Sequence, residues 1–267
     1  MDLLASIVRP LIPKPLQRKV REARIKREAQ TWRDLGLSRE LAGLTIKVAS
    51  KSDWVVFNEI FVERFYDRAI SYVLNQVSDN SMIRVLDLGA NVGYFALRFA
   101  QMVFESKQAA QPFMIHCVEG SPKVYIDLCS RLADNPLLRG HIQLTQGLVG
   151  ERSGSTAMYE SQFGAGNSVI QQHWSKPVVT SFVDLNTLIP NSASISLIKC
   201  DIEGSEQRFQ DNYAELLRRT QAAVLELHHS YIDPDKFHDG MKALGFVGAE
   251  QLWQSERERA SLVFYFR

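Results

Sequence analysis

Three cysteines in 267 residues, all widely spaced, provide neither a disulfide framework nor a zinc-ligand pattern. Cys117 and Cys200 fall inside apolar, strand-like runs, which suits a reducing compartment. No charge of one sign dominates, because 31 Lys and Arg stand against 30 Asp and Glu, so overall charge identifies no partner. Internal repeats and low-complexity tracts are missing as well. The opening MDLLASIVRPLIPKP has no basic stretch ahead of its apolar segment, and that segment is too short to span a bilayer. The expectation is a soluble, cytoplasmic protein with a core sufficient for one domain and an appendage.

The charge is unevenly distributed. Residues 1–33 hold nine Lys and Arg against three acids, a net +6, which leaves the rest of the chain at −5 (22 basic, 27 acidic). Pro15 is placed to open a helix, and LQRKVREARIKREAQTWRDLG continues in strong helix formers until Gly36 stops it. Its apolar stripe is thin. Two readings follow: a basic helix docking on an anionic membrane or acidic carrier, or a solvated helix packing Trp32 and Leu35 on the main body. Residues 59–77 carry apolar positions at helical spacing. Together these define an N-terminal basic helical extension and cap over 1–78, followed by a second unit over 79–267.

That second unit alternates short apolar runs with helical segments: MIRVLDLG (82–89), FMIHCVEG (113–120), HIQLTQGLVG (141–150), SISLIKCDIEG (194–204) and AAVLELHH (222–229). The tail, FVGAEQLWQ and ASLVFYFR, reads as a closing antiparallel pair. Alternation of this kind predicts a doubly wound α/β sheet, whose ligands bind beyond the carboxyl ends of the strands. Acids stand at four such ends: Asp87, Glu119, Asp201 and Glu226.

VLDLGANVGYFA sets Asp87, Gly89, Ala90, Asn91, Gly93 and Tyr94 around the first strand-to-helix turn. The spacing is G-x-x-x-G, not the G-x-G-x-x-G of nicotinamide and flavin folds. A carboxylate two residues ahead of the first glycine repels a pyrophosphate and suits a ligand with an amine or sulfonium. Glu119, followed by Gly120, ends the second strand, where a ribose diol would donate to it. The combination fits S-adenosylmethionine. The alternative is that Asp87 caps a turn and Glu119 begins a helix before Pro122.

VLDLGANVGYFALRFA, VEGSPKVY, GLVGERSGSTAMYE, GAGNSV, VTSFVDLNTLI, SLIKCDIEGSEQRF and AAVLELHH stand in the order seen in FkbM-type methyltransferases, which this chain resembles over roughly residues 82–230. K-x-D-I-E-G-x-E is the most distinctive element. Gly120 and Val124 depart from the family's usual Pro and Asn, which bears on the adenosine contacts. The resemblance implies a Rossmann-like class I methyltransferase with a mostly parallel seven-stranded sheet. It also implies S-adenosylmethionine-dependent methylation of a hydroxyl on a sugar, polyketide or related small molecule or glycan.

Methyl transfer needs an aligned nucleophile and a group to take its proton. Asp201, at the end of the fourth strand, is expected near the transferred methyl as proton acceptor or charge stabiliser. Glu203, two residues on, stays open between a catalytic and a turn role. Glu206 reads as a first-turn helix acid, with Gly204 and Ser205 as turn and N-cap. Glu226 and His228 share one face of their strand, with His229 on the other; His228 is the alternative base. Asn167, Ser168 and His229 are candidates for holding the acceptor, with 160–176 expected as a hairpin or lid. The acids and a histidine could also hold a divalent cation, but no compact metal motif is present and none is assigned. Two competing functions are a catalytically silent adenosyl-binding module and a nucleic-acid methyltransferase. The second is disfavoured because CDIEGSE stands where amino-methylating enzymes often carry an Asn/Asp-Pro-Pro-aromatic element. Oligomeric state is not readable.

Overall fold

The computed structural model describes residues 14–77, 81–107, 110–159 and 177–267. The central strands form because their residues are apolar almost without interruption, the pattern of strands covered on both faces. These are β3 (Ile83–Leu88), β4 (Phe113–Glu119), β8 (Ile195–Cys200) and β9 (Thr220–His228). With β5 (Ile142–Gln146), β10 (Gly248–Ser255) and β11 (Ala260–Phe266) they build one seven-stranded sheet in the order β10-β11-β9-β8-β3-β4-β5. β5, β4, β3, β8 and β9 run parallel, while β11 is antiparallel to both β9 and β10, as the tail pattern predicts. The third strand ends at Gln146, short of the expected Gly150, because Gly147 to Gly150 turn away.

Apolar side chains gather into two cores, one on each face of the sheet. One core joins β3, β4 and α4 (Tyr94–Glu105) to α3 (Asp67–Gln76) and the N-terminal segment. There Leu44 and Ile46 of β2 (Leu44–Val48), Phe57 of α2 (Lys51–Phe57), and Ile60 and Phe61 pack with Val85, Ile115 and Leu97. α5 (Pro122–Ala133) adds Leu128 and Leu132 to it. The other core is made by α6 (Glu206–Asn212), α7 (Ala214–Arg218) and α8 (Pro234–Ala243) against Leu86, Ile198 and Leu225.

The basic helix α1 spans Lys14–Leu35 and ends at Gly36 with φ +54°, as expected. Trp32 packs on the core, but Leu35 is 56 % exposed and does not. The helix expected over 59–77 is interrupted. A π-helical turn, Asn58–Val62, is followed by Arg64 at φ +61°, and α3 begins only at Asp67. Two antiparallel pairs were not foreseen: β1 (Leu37–Leu41) with β2, and β6 (Ser155–Tyr159) with β7 (Pro177–Ser181). Asn167, Ser168 and the 160–176 lid lie outside the described residues. Among the described residues no helix is long and apolar enough to cross a membrane.

Because β3 is flanked by β4 on one side and β8 on the other, the direction of winding reverses there. The loops leaving β3 and β8 therefore part at the carboxyl edge and open a crevice.

Candidate active site

Two adjoining cavities occupy that crevice and share Asn91, Asp201 and Glu203. The smaller, about 70 Å³, lies over the ends of β3 and β4 and is lined by Gly89, Glu119, Gly120, Leu148 and Met158. The larger, about 380 Å³, runs toward the N-terminal segment and the β10–β11 hairpin. Its lining includes Glu59, Tyr66, Lys199, Glu226, His228 and Trp253.

The β3 loop is shaped by close packing. A Cβ on Gly89, whose φ is +73°, would stand 1.7 Å from the Asp201 carbonyl oxygen, so only glycine lets the two strand-end loops approach. Gly93 (φ +91°) is kept small by Leu128 and Leu132 of α5 and lines neither cavity. Asn91 takes φ +50° and donates its backbone N–H to Glu119 Oε2 at 2.9 Å, while Ser121 N donates to Oε1 at 2.8 Å. These bonds lock the Glu119 carboxylate at the cavity wall. Burial raises its pKa, and the backbone donors oppose that rise. A Cβ on Gly120 would come within 2.8 Å of Leu148 and 3.2 Å of Met158 Sδ, closing the smaller cavity. Ala90 is buried and Tyr94 presents its ring to the larger cavity while its hydroxyl donates to Lys47 O at 2.5 Å.

Asp87 is placed differently from expectation. It is fully buried beneath the crevice, lines neither cavity and lies 3.5 Å from Lys199 Nζ. Burial raises its pKa and the lysine opposes the rise. Lys199, which sequence reasoning did not assign, also donates to Gly89 O at 2.6 Å. It thereby ties the β3 loop to β8. Its sequence signals are a lysine inside an apolar strand and its place as the first residue of K-x-D-I-E-G-x-E. Burial acts to lower its pKa, but Asp87 and Asp201 outweigh that and raise it.

Four of the expected catalytic groups converge. Asp201 continues β8 by donating its N–H to Leu88 O at 3.0 Å, and its Oδ1 is buried with no hydrogen-bond partner among the described residues. Glu203 sits at φ +53°, a left-handed conformation that costs an ordinary side chain about 1 kcal/mol. Its Oε2 lies 3.4 Å from His228 Nε2, and Glu226 Oε1 lies 4.0 Å from the same nitrogen. Burial, then Asp201, pushes the Glu203 carboxyl up to about 8, against the pull of His228. Glu226 is raised for the same first two reasons.

Glu206 stands in the first helical turn, as read, and has a second role that the sequence did not signal. It is the first residue of α6 but is wholly buried, and its Oε1 bonds His228 Nδ1 at 2.9 Å and accepts from Gly204 N at 3.0 Å. Ser205 makes no side-chain cap bond. Burial acts to lower the His228 pKa, but the bond and charge of Glu206, with Asp201 and Glu203, push it up to about 10. His228 is therefore cationic at neutral pH and is not a base there. His229 bonds Ser261 Oγ at 2.8 Å and lines neither cavity. Glu59, carried on the π-helical turn, was missed. Burial, then Asp201 and Glu258, raises it to about 7. Asp201, Glu203 and His228 offer ligand atoms within 4.8 Å of one another, a spacing that a cation could bridge.

No family model matches the chain, and no curated protein matches it. Solved structures do. The methyltransferase FkbM from Methylobacillus flagellatus KT superposes with a TM-score of 0.51 at 13 % identity over 72 % of this chain. The chain spans 45 % of that protein's length. The N-terminal domain of human METTL16 in complex with SAH gives 0.46 at 10 % identity, covering 91 % of this chain and 93 % of that one. A precorrin-6y C5,15-methyltransferase from Geobacter metallireducens GS-15 gives 0.42 at 11 % identity, covering 74 % and 87 %. The fold is that of a Rossmann-like methyltransferase, with the antiparallel strand pair at its C-terminal end.

Proposed function

We propose that this chain transfers a methyl group from S-adenosylmethionine to a hydroxyl oxygen of a small molecule or glycan, as its resemblance to FkbM-type enzymes implies. The observation that carries this is the meeting of two cavities at Asn91, Asp201 and Glu203, the smaller walled by Glu119 and Gly120 and the larger by Glu226, His228 and aromatic side chains. The residues present fit the cofactor. Glu119 is fixed by two backbone donors where a ribose diol would lie, Gly120 leaves the wall open, and Asp201, which lines both cavities, offers a carboxylate to a cation. When bound, S-adenosylmethionine supplies an electrophilic methyl on a cationic sulfur.

Within the chain, Glu203 is the proton acceptor, because it borders both cavities and its pKa of about 8 lies close to working pH. Asp201 orients the acceptor hydroxyl and balances positive charge. His228, held cationic by Glu206, fixes Glu203 and Glu226 in place. The acidic character of the larger cavity repels phosphates and so favours a small acceptor over a nucleic acid.

Calorimetric titration of the purified protein with S-adenosylhomocysteine is expected to show a single site, and absence of binding refutes the reading. Glu119→Gln keeps one acceptor oxygen but removes the charge, so the dissociation constant is expected to rise roughly tenfold or more, the worth of a charged hydrogen bond.

A further inference from the structure

The outer half of the larger cavity has more acid than methyl transfer requires. Glu59 enters from the π-helical turn, Glu226 from the end of β9, and Glu258 from the turn joining β10 to β11. None of the three borders the smaller cavity. Only two cationic side chains line the larger cavity among the described residues, and both are engaged: Lys199 with Gly89 O and Asp87, His228 with Glu206. One sulfonium offsets one charge; Glu59 and Glu258 have no cation beside them among the described residues. Burial with mutual repulsion raises the Glu59 and Glu226 carboxyls, so a ligand cation would draw them to the ionised form.

Two further features point to a ligand at this place. Tyr66 is only 7 % exposed and lines the cavity, yet its hydroxyl has no hydrogen-bond partner among the described residues. Asp201, Glu226 and Glu59 all act on that hydroxyl, which places it among the acids. Beside them, Phe65 and Trp253 hold their ring centroids 5.8 Å apart as an aromatic wall. The strand register shifts between Gln251 and Trp253, an irregularity of the kind that re-aims side chains next to a site. Carboxylates facing aromatic rings form the ordinary environment of an alkylammonium, which gains both charge pairing and attraction to the ring faces.

We propose that the acceptor carries an ammonium group as well as the methylated hydroxyl, as in an amino sugar or amino alcohol. Glu59, Glu226 and Glu258 receive that cation against Phe65 and Trp253, while Tyr66 bonds a neighbouring polar atom. This inference rests on the methyltransferase reading of the crevice.

The test uses the full chain loaded with S-adenosylhomocysteine, in EDTA so that no divalent ion contributes. Two shape-matched pairs, glucosamine with glucose and cyclohexylamine with cyclohexanol, are titrated by ligand-observed NMR. The amine of at least one pair is expected to bind about tenfold more tightly than its neutral twin, and Glu59→Gln is expected to remove most of that gap. Glu258→Gln, on an exposed turn, is expected to narrow the gap too and serves if the Glu59 variant does not fold. Equal or tighter binding of the neutral twins overturns the inference, as does binding of neither member at tens of millimolar, or an amine preference that survives both substitutions. Failure to bind S-adenosylhomocysteine at the outset refutes instead the reading beneath it.

Discussion

Replacing Glu203 with glutamine is expected to lower kcat about 10²- to 10⁴-fold, the usual worth of a positioned base, while leaving affinity for S-adenosylhomocysteine within a few-fold. The wild-type rate is expected to climb with pH and level off near 8, because the carboxyl, pushed up to about 8, is protonated and unable to accept a proton below that value. The slope should be roughly tenfold per pH unit in the acid limb. In Glu203→Gln that limb disappears. The backbone supplies a second, independent arm. Glu203 is held at φ +53° directly before Gly204 at φ +97°, so Glu203→Gly should relieve backbone strain of about 1 kcal/mol, set against the lost His228 contact, while lowering kcat at least as far as glutamine does. A retained acid limb in the glutamine variant, or full activity in either variant, would move the base role to Asp201. The His228 imidazole does not compete, since it stays cationic until about pH 10.

Why Glu203 stayed open at the level of sequence is instructive. The strand ends were readable because buried parallel strands are written as continuous apolar runs, so SLIKC followed by DIEG marks where β8 stops. The same logic located Asp87, Glu119 and Glu226. What periodicity does not carry is depth: Asp87 and Asp201 both end strands, yet one lies sealed beneath the crevice and the other opens on it. Glu206 has the sequence of a first-turn helix acid and becomes a buried partner of His228 only because β9 brings the histidine beside α6. Glu59 was hidden for another reason. Residues 59–77 have unbroken helical spacing, and nothing in EIFVERFY signals a π-helical turn or a left-handed Arg64 without Gly or Pro. The β1–β2 hairpin was missed because β1 is largely exposed and so lacks a clear apolar alternation. Elements defined by their own burial were legible, and groups placed by contacts between distant segments were not.

Gly89→Ala tests the contact on which the whole crevice depends. Two costs combine at this position. The first is conformational: φ is +73°, where an alanine costs about 1 kcal/mol. The second is steric and larger. The new Cβ would lie 1.7 Å from the Asp201 carbonyl oxygen and 2.9 Å from its carbonyl carbon, both backbone atoms that no rotamer change can move aside. Relief requires the loops after β3 and β8 to separate, which breaks the Asp201 N to Leu88 O bond and pulls Lys199 from Gly89 O. A loss of roughly 4 kcal/mol or more is expected, a large share of the 5–15 kcal/mol that stabilises a typical domain. Gly140→Ala is the control. It has the same handedness at φ +83°, but a Cβ there meets nothing within 4 Å, so only the conformational cost of about 1 kcal/mol should appear. Urea unfolding of both variants separates the two costs. If Gly89→Ala folds at all, its binding of S-adenosylhomocysteine and its turnover should fall together, because the displaced loops carry Asn91 on one side and Asp201 and Glu203 on the other. Equal destabilisation of the two variants would show that the close approach of β3 and β8 does not govern the site.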